Sequence, residues 1–332
     1  MHQSRLGNLD VLRALAALAV CLYHFREDIA IRSIDAAASV FAYGYLGVDV
    51  FFVISGFVIP LMLLKSKYSP ADMGAFLASR FVRLYPAYIA SIMLVFALWY
   101  LSSCIPGFSG QSPAISIASA VSNSLLICDF SGEEWILPVF WTLAIEAQYY
   151  ALIAVSFAFL TAESKGIRYA VLAAWIAAPL VAGVGPTVFT WTALFAMGIL
   201  CCLRGHQLIG RLDFWILFGA AFSTHALTRG TTSAVVGFLT GLAILYLPEV
   251  RSPVLAWIGT ISYSIYLIHG PLWVKVMNLT KRLPDIPAIQ VLALVVGALV
   301  VIAASYLFFM VIERPSHAFS RSVRLRQRRT EP

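Results

Sequence analysis

Charged residues are scarce in this sequence. Asp, Glu, Lys and Arg make up only 12% of its 332 residues, whereas hydrophobic residues make up 61%. A soluble protein of this length carries about twice that share of charge, because its surface must be hydrated. The composition therefore excludes a soluble globular enzyme. It predicts a polytopic membrane protein with little chain left over for a separate soluble domain.

Patterns that would mark a bound cofactor are also missing. The 5 cysteines show no metal-ligand spacing, and no phosphate-binding glycine loop or nucleotide fingerprint occurs. We therefore expect no metal and no permanently bound cofactor. Cys104 and Cys128 flank one loop, so they either form a disulfide on an oxidising side of the membrane or stay as two unpaired thiols.

Apolar segments of about the 20 residues that a membrane-spanning helix needs are abundant instead, and we count about ten. An even number of spans puts both termini on one side. Most of the 23 Lys and Arg residues fall on that side, so the positive-inside rule places both termini in the cytoplasm. The predicted fold is all-α, with one transmembrane domain over residues 1–313 and a basic, lipid-facing cytoplasmic tail over residues 314–332. The predicted segments are 9–25, 43–64, 84–103, 136–161, 168–184, 187–204, 213–228, 231–248, 258–279 and 286–312.

The first segment, residues 9–25, carries ionisable residues on one helical face. It lacks the small-x-small cleavage site of a signal peptide, so we expect it to stay in the mature protein. Asp10, Arg13 and His24 share one face at helical spacing. Such a stripe should turn away from lipid. We therefore expect it to line a reaction chamber, with His24 about 16 Å beyond Arg13 toward the outer leaflet.

Asp49, near the start of the second segment, has the same predicted depth as His24. A carboxylate beside a histidine can fix the ring tautomer and stabilise the imidazolium, as a general base requires. The alternative is that each residue has an unrelated partner in the bundle. Ser55 and Gly56 follow in the same segment, where small residues favour close helix packing or a hinge over a nucleophile.

Arg80 and Arg83 share a helix face at the predicted inner mouth of the third segment. Two guanidinium groups there suit phosphate groups. Ordinary anchoring to anionic lipid is the alternative, and spacing alone favours it.

Glu146 lies near the predicted middle of the fourth segment, on one face with Thr142, Tyr149 and Tyr150. An isolated carboxylate at that depth would be protonated, so we expect a basic partner, for which Arg13 is the candidate. Structural pairing and a catalytic role both remain open.

The ninth segment has a second polar face made of Ser262, Tyr266 and His269, at i, i+4 and i+7. We expect these three residues, with Tyr149, to line the substrate site. His225, in the seventh segment, is isolated in sequence and is interpreted as a packing residue.

These motifs together resemble the acyltransferase-3 family of integral-membrane acyltransferases, which modify sugars of surface polysaccharides. The resemblance covers nearly the whole chain in order. Trp141-Thr142 stands where Trp-Ser is commoner. The matching stretches are LDVLRALAALAVCLYH, with Arg13 and His24, then GYLGVDVFFVISGFVI, Arg80-x-x-Arg83 before Pro86, WTLAIEAQYY, SYSIYLIHGP and IERP (Ile312 to Pro315).

The resemblance implies a multi-pass protein of the bacterial inner membrane that transfers an acyl group, acetyl by default, from cytoplasmic acyl-CoA. The implied acceptor is a hydroxyl of a carbohydrate such as an exopolysaccharide, a lipopolysaccharide or a lipid-linked sugar. It also implies that His24 is the catalytic histidine and that Arg13, Arg80 and Arg83 serve the donor or its channel. Many relatives carry a fused extracytoplasmic hydrolase-like domain, which we expect to be absent here. Polysaccharide-biosynthesis proteins are therefore candidate partners, beside membrane lipids and the carbohydrate, and nucleic acid is not.

We hypothesise that His24 deprotonates the sugar hydroxyl, that Asp49 orients His24, and that Glu146 holds Arg13 or lines the donor channel. An acyl-histidine intermediate is a variant of this mechanism. Two rival functions are open: a secondary transporter with an ionisable inward-facing pathway, and a non-catalytic membrane partner of a polysaccharide-synthesis complex.

Overall fold

The computed structural model describes residues 4–25, 39–105, 115–248, 250–280 and 286–328. Every regular element in these ranges is helical. The all-α prediction is therefore confirmed. Residues 329–332 of the predicted tail lie outside the described ranges.

Helices make up most of the described ranges. In chain order they are α1 Ser4–Phe25, α2 Gly47–Lys65, α3 Met73–Ser103, α4 Ile117–Ser124, α5 Cys128–Ser131, α6 Trp141–Leu160, α7 Lys165–Ala182, α8 Thr192–Gly205, α9 Arg211–Arg229, α10 Thr231–Tyr246, α11 Pro253–Thr260, α12 Ser262–Thr280, α13 Pro287–Phe308 and α14 Arg314–Arg328. A π-helical turn, Phe309–Glu313, joins the last two.

Seven helical stretches in the described ranges are long and apolar enough to cross a membrane, which confirms a polytopic membrane protein. Each predicted segment overlaps a helix with shifted bounds, and the segment 258–279 covers the end of α11 as well as α12. The largest shift is in α3, which begins at Met73 and not at 84, because the arginine-bearing stretch before Leu84 continues the same helix. The count of about ten spans and the cytoplasmic termini stay predictions. The seven stretches are Gly7–Phe25, Ser39–Lys65, Pro70–Ser103, Pro138–Leu160, Lys165–Ala182, Val188–Gly205 and Val291–Ser322.

The chain forms two compact units, each assembled from separate stretches of sequence. The first contains Met1–Ala19, Tyr45–Leu77 and Ile145–Thr260. The second contains Val20–Gly44, Ala78–Ala144 and Ile261–Pro332. The expectation of a single transmembrane domain over residues 1–313 stays a prediction.

In the first unit α8 is the centre, since every residue from Thr192 to Leu203 is buried. Helix α2 crosses it so closely that the two backbones touch. A Cβ atom added to Gly56 would lie 2.2 Å from the carbonyl oxygen of Phe195, and one added to Gly198 would lie 2.1 Å from that of Val53. Only glycine permits this approach, so the packing interpretation of Gly56 is confirmed.

In the second unit α12 packs along α13, where Gly297 makes room for the ring of Trp273. The same Trp273 ring stacks on Phe25 at a centroid distance of 3.5 Å. This contact fixes the last turn of α1 against α12. His24 precedes Phe25 in that turn, so its position is set by the same packing.

Candidate active site

The second unit brings two histidines together. His24, in the last turn of α1, and His269, in α12, have ring centroids 5.1 Å apart with planes inclined at 47°. His24 is half-buried, whereas His269 is completely buried. The predicted catalytic histidine therefore has a second imidazole as its neighbour, which the sequence analysis had assigned only to the substrate lining.

The hydrogen bonds of His269 define its tautomer. Its Nδ1 faces the carbonyl oxygens of Ile265 at 3.1 Å and Tyr266 at 2.8 Å. Carbonyl oxygens only accept hydrogen bonds, so Nδ1 must carry the proton and donate it. Nε2 of a neutral ring then presents a lone pair, and within the described residues it has no hydrogen-bond partner. The α12 backbone therefore holds an imidazole acceptor beside His24.

The other polar residues of the α12 face are buried as well. Tyr266 and Thr142 share a hydrogen bond of 2.7 Å between their hydroxyl oxygens, and both hydroxyls lie against the carbonyl oxygen of Val139. Thr142 is the residue that replaces the commoner serine, and its hydroxyl still makes the contact. Ser262 is fully buried, and its hydroxyl has no partner in the described part of the chain.

Arg80 and Arg83 lie on α3 within the same unit. Arg80 is only 7% exposed and Arg83 is half-buried. A guanidinium that is mostly withdrawn from solvent needs specific partners, because its desolvation is costly. Binding of donor phosphate by these two arginines stays a prediction.

Glu313 is a buried carboxylate that the sequence analysis quoted within IERP but did not assign to the site. It lies in the π-helical turn and is 1% exposed. Ser264 of α12 donates a hydrogen bond of 2.5 Å to its Oε2, and Nε2 of His317 lies 3.4 Å from its Oε1. A π-helical turn is uncommon and occurs often at functional sites. The i, i+3 and i+4 spacing used to find helical faces in a sequence does not reveal such a turn.

The first unit contains a separate buried hydrogen-bond network around Asp49. Ser233 of α10 donates to the Asp49 carboxylate at 2.6 Å, and Nε2 of His225 lies 2.7 Å from the same serine hydroxyl. Because the serine proton is directed at the carboxylate, the histidine is the donor in the second bond. His225, isolated in sequence, is thus a buried residue of the packed interior whose Nε2 is satisfied by Ser233, as the interpretation of a packing residue expects. The guanidinium of Arg229 lies 4.2 Å above the Trp191 ring nearby.

The remaining predicted residues also lie in the first unit. Arg13 is half-buried and close enough to Asp10, on its own helix, for their charges to attract. Glu146 accepts a hydrogen bond from Tyr150, one turn later on α6. Tyr149 is fully buried. The pairings of Glu146 with Arg13 and of Asp49 with His24 stay predictions.

The five cysteines are all free thiols. Cys104 is exposed and Cys128 is buried at the start of α5. Burial, with the nearby Asp129 carboxylate, raises the pKa of Cys128 to about 11. Of the two alternatives for the loop cysteines, the structure therefore has the unpaired thiols. Across the described ranges, no three His, Cys, Asp or Glu side chains are grouped as metal ligands would be.

Comparison with known proteins also indicates an acyltransferase. A family model described as an acyltransferase domain matches residues 6–310. The chain is 29% identical over 364 residues to a peptidoglycan O-acetyltransferase, OatA, of Listeria monocytogenes, across 93% of this chain and 55% of that protein. It is 33% identical over 169 residues to the O-acetyltransferase OatA of Staphylococcus aureus strain NCTC 8325, across 48% of this chain and 26% of that protein. No solved structure matches.

This chain spans about half of the Listeria protein and about a quarter of the Staphylococcus protein. The comparison therefore covers only part of each of those two proteins. The family match covers nearly all of the present sequence. It agrees with the membrane-spanning helices of the structure. The chain is a multi-pass integral membrane protein with an acyltransferase domain, and it belongs to the acyltransferase-3 family.

Proposed function

We propose that this protein is a membrane O-acyltransferase that moves an acyl group, acetyl by default, from acyl-CoA to a hydroxyl group of a cell-envelope carbohydrate. The observation that carries the proposal is the pair of histidines in the second unit, His24 and His269, with ring centroids 5.1 Å apart. The same unit contains the arginines 80 and 83. The relatives' names support acetyl as the group and a cell-wall glycan as the acceptor class.

In this proposal His24 is the general base. It takes the proton of the acceptor hydroxyl while the oxygen attacks the thioester carbon, and the tetrahedral intermediate collapses with loss of the CoA thiolate. The proton on His24 then passes to the departing sulfur. The products are one ester and one thiol, and the enzyme is unchanged. The variant with an acyl-histidine splits the same exchange into two transfers.

His269 is a positioning residue in this scheme. When His24 becomes an imidazolium, it needs a hydrogen-bond acceptor on the side away from the substrate. Nε2 of His269 has the lone pair and no other partner in the described ranges. The two backbone carbonyls that accept from Nδ1 fix the orientation of that ring and its Nδ1–H tautomer. An uncharged partner avoids the repulsion that a second cation would create.

Arg80 and Arg83 are proposed to bind the phosphates of the donor, and a donor role for Arg13 stays a prediction. Guanidinium groups bind phosphate through paired N–H donors, and this geometry distinguishes them from lysine. A phosphopantetheine arm reaches on the order of 15–20 Å, which is comparable to about half the thickness of a bilayer. The donor thioester can thus reach a histidine inside the membrane while its phosphates stay at the surface.

The test uses the purified full chain in nanodiscs, acetyl-CoA labelled in the acetyl group, and chito-oligosaccharide or muropeptide acceptors. His24→Ala should abolish transfer while the protein remains folded, whereas His206→Ala, at a helix end, should leave it unchanged. Arg80→Ala should raise KM for acetyl-CoA more than KM for the acceptor. Near-normal transfer by His24→Ala contradicts the mechanism.

The same assay separates the rival functions. A transporter would move substrate across proteoliposome membranes without acyl-CoA, and it would not form acetyl ester. A non-catalytic partner would show neither hydrolysis of nor transfer from acetyl-CoA when purified alone. Acetyl transfer by the purified protein alone excludes both the transporter and the non-catalytic partner.

A further inference from the structure

The basic C-terminal helix, α14, is docked on the protein. Ser320 donates a hydrogen bond of 2.6 Å to the backbone carbonyl of Ser79 in α3, and both serines are buried. Ser316, one turn earlier on the same face, is buried too. An amphipathic helix that anchors to lipid buries bulky apolar residues in the bilayer. Here Ser320 contacts α3 through its hydroxyl, whereas the hydroxyl of Ser316 bonds to the carbonyl of Ile312 one turn earlier.

This contact lies at the arginine pair. In a regular α-helix the carbonyl of residue i accepts the N–H of residue i+4, so the carbonyl of Ser79 is one end of the bond to Arg83. Ser320 therefore touches the single turn of α3 that contains both Arg80 and Arg83. The next residue of α14, Arg321, is exposed. The tail thus brings further positive charge to the turn proposed to hold donor phosphate.

The start of the tail is fixed as firmly as its middle. Glu313, directly before α14, accepts the Ser264 hydrogen bond from α12 and lies next to His317 of the tail itself. α12 is the helix that carries His269. One end of α14 is consequently tied to the histidine-bearing helix, and its middle is tied to the arginine-bearing helix.

The charged residues of α14 are basic, and none is acidic. Residues 314–328 include no Asp or Glu, and Arg314 and Arg321 are exposed. Arginines also occupy positions 324, 326 and 328 of the same helix. Two arginines on α3 are few for a CoA nucleotide, whose 3′-phosphate and diphosphate together carry about four negative charges. Arg321, next to the Ser320 contact, would add a third positive charge.

We propose that α14 is part of the donor site, and that Arg321 binds the phosphates of the CoA nucleotide together with Arg80 and Arg83. This inference rests on the proposed function, because it names the recognition element for the same acyl donor. It replaces the expectation of a lipid-facing anchor with a substrate-binding role. An anionic lipid headgroup offers the same phosphate chemistry, so the experiment must separate the two sources.

The experiment measures the Kd for CoA and the KM for acetyl-CoA and for acetyl-pantetheine, which lacks the nucleotide. The full chain is reconstituted in nanodiscs of phosphatidylcholine alone and in discs that also contain phosphatidylglycerol. Arg321→Gln is compared with Arg321→Lys and with a matched control, Arg211→Gln, which changes an exposed arginine at the start of α9.

We expect Arg321→Gln to raise the Kd for CoA and the KM for acetyl-CoA by about threefold to tenfold in phosphatidylcholine discs. KM for acetyl-pantetheine and kcat at saturation should not change, Arg321→Lys should give a smaller loss, and Arg211→Gln should match wild type. An unchanged Kd, an equal loss with acetyl-pantetheine, or an effect confined to discs with phosphatidylglycerol overturns the inference. If wild type neither binds CoA nor transfers acetyl, the proposed function itself has failed.

Discussion

The role of His269 gives a sharp test, because its two ring nitrogens have different tasks. Nδ1 bonds to the backbone of α12, whereas Nε2 has no partner in the described residues and is proposed to accept a hydrogen bond from the His24 imidazolium. Replacement by phenylalanine keeps a planar ring of similar size and removes both nitrogens. The substitution therefore separates packing, which it retains, from hydrogen bonding to the neighbouring imidazole, which it abolishes.

The expected cost in stability is small. The carbonyls of Ile265 and Tyr266 lie inside a helix and already accept N–H groups from residues one turn later. Loss of the Nδ1 contact should thus cost about 1 kcal/mol of unfolding free energy. The expected cost in activity is large, because removing one preorganised hydrogen-bonding group from a transition state lowers kcat by about 10²- to 10³-fold. KM for acetyl-CoA should stay within about twofold, since His269 is not proposed to bind the donor.

The assay is acetyl transfer at saturating donor, with thermal unfolding measured on the same preparation. His206→Phe is a matched control, because Nδ1 of His206 likewise contacts the carbonyl one turn earlier, that of Cys202, at 3.0 Å. It should lose comparable stability and no kcat. The double variant His24→Ala/His269→Phe should be no slower than His24→Ala alone, as residues that act as a unit are not additive. A kcat for His269→Phe within twofold of wild type, or a further multiplicative loss in the double variant, refutes the reasoning.

Three other substitutions or modifications test the fold. Ser233→Ala removes the hydroxyl between His225 and Asp49 in the hydrogen-bond network of the first unit. It should lower the unfolding free energy by about 1–3 kcal/mol, measured by thermal melting in detergent. A change smaller than the error of that measurement contradicts the assigned hydrogen bonds. Gly198→Ala places a methyl group 2.1 Å from a carbonyl oxygen and should destabilise by about 3 kcal/mol or more, whereas Gly219→Ala, with open space around its Cβ, should be neutral. N-ethylmaleimide at pH 7.5 without reductant should label Cys104 and leave Cys128 unmodified, because the reactive thiolate of Cys128 is suppressed by its raised pKa, about 11. A mass spectrum with neither thiol labelled would indicate a disulfide.

The sequence alone was enough for the features that depend on neighbouring residues. Hydropathy over about 20 residues reveals membrane helices, because the bilayer solvates each helix separately. Helical periodicity placed Ser262, Tyr266 and His269 on one face, and all three are buried in the structure. The ordered motifs around His24, Arg80 and Arg83 pointed to the family that the comparison then showed.

The tertiary structure decided the partners. Ser233 and Asp49 are 184 residues apart, and Ser320 and Ser79 are 241 apart. No local pattern encodes which buried polar group meets which, because each choice depends on how helices distant in sequence pack. Helical depth suggested Asp49 for His24, whereas the rings of His24 and His269 are the pair that packing within one unit places together. The basic composition of the tail predicts a lipid-facing anchor, whereas its contact with α3 through Ser320 is visible only in the structure, because composition does not encode which helix a side chain meets.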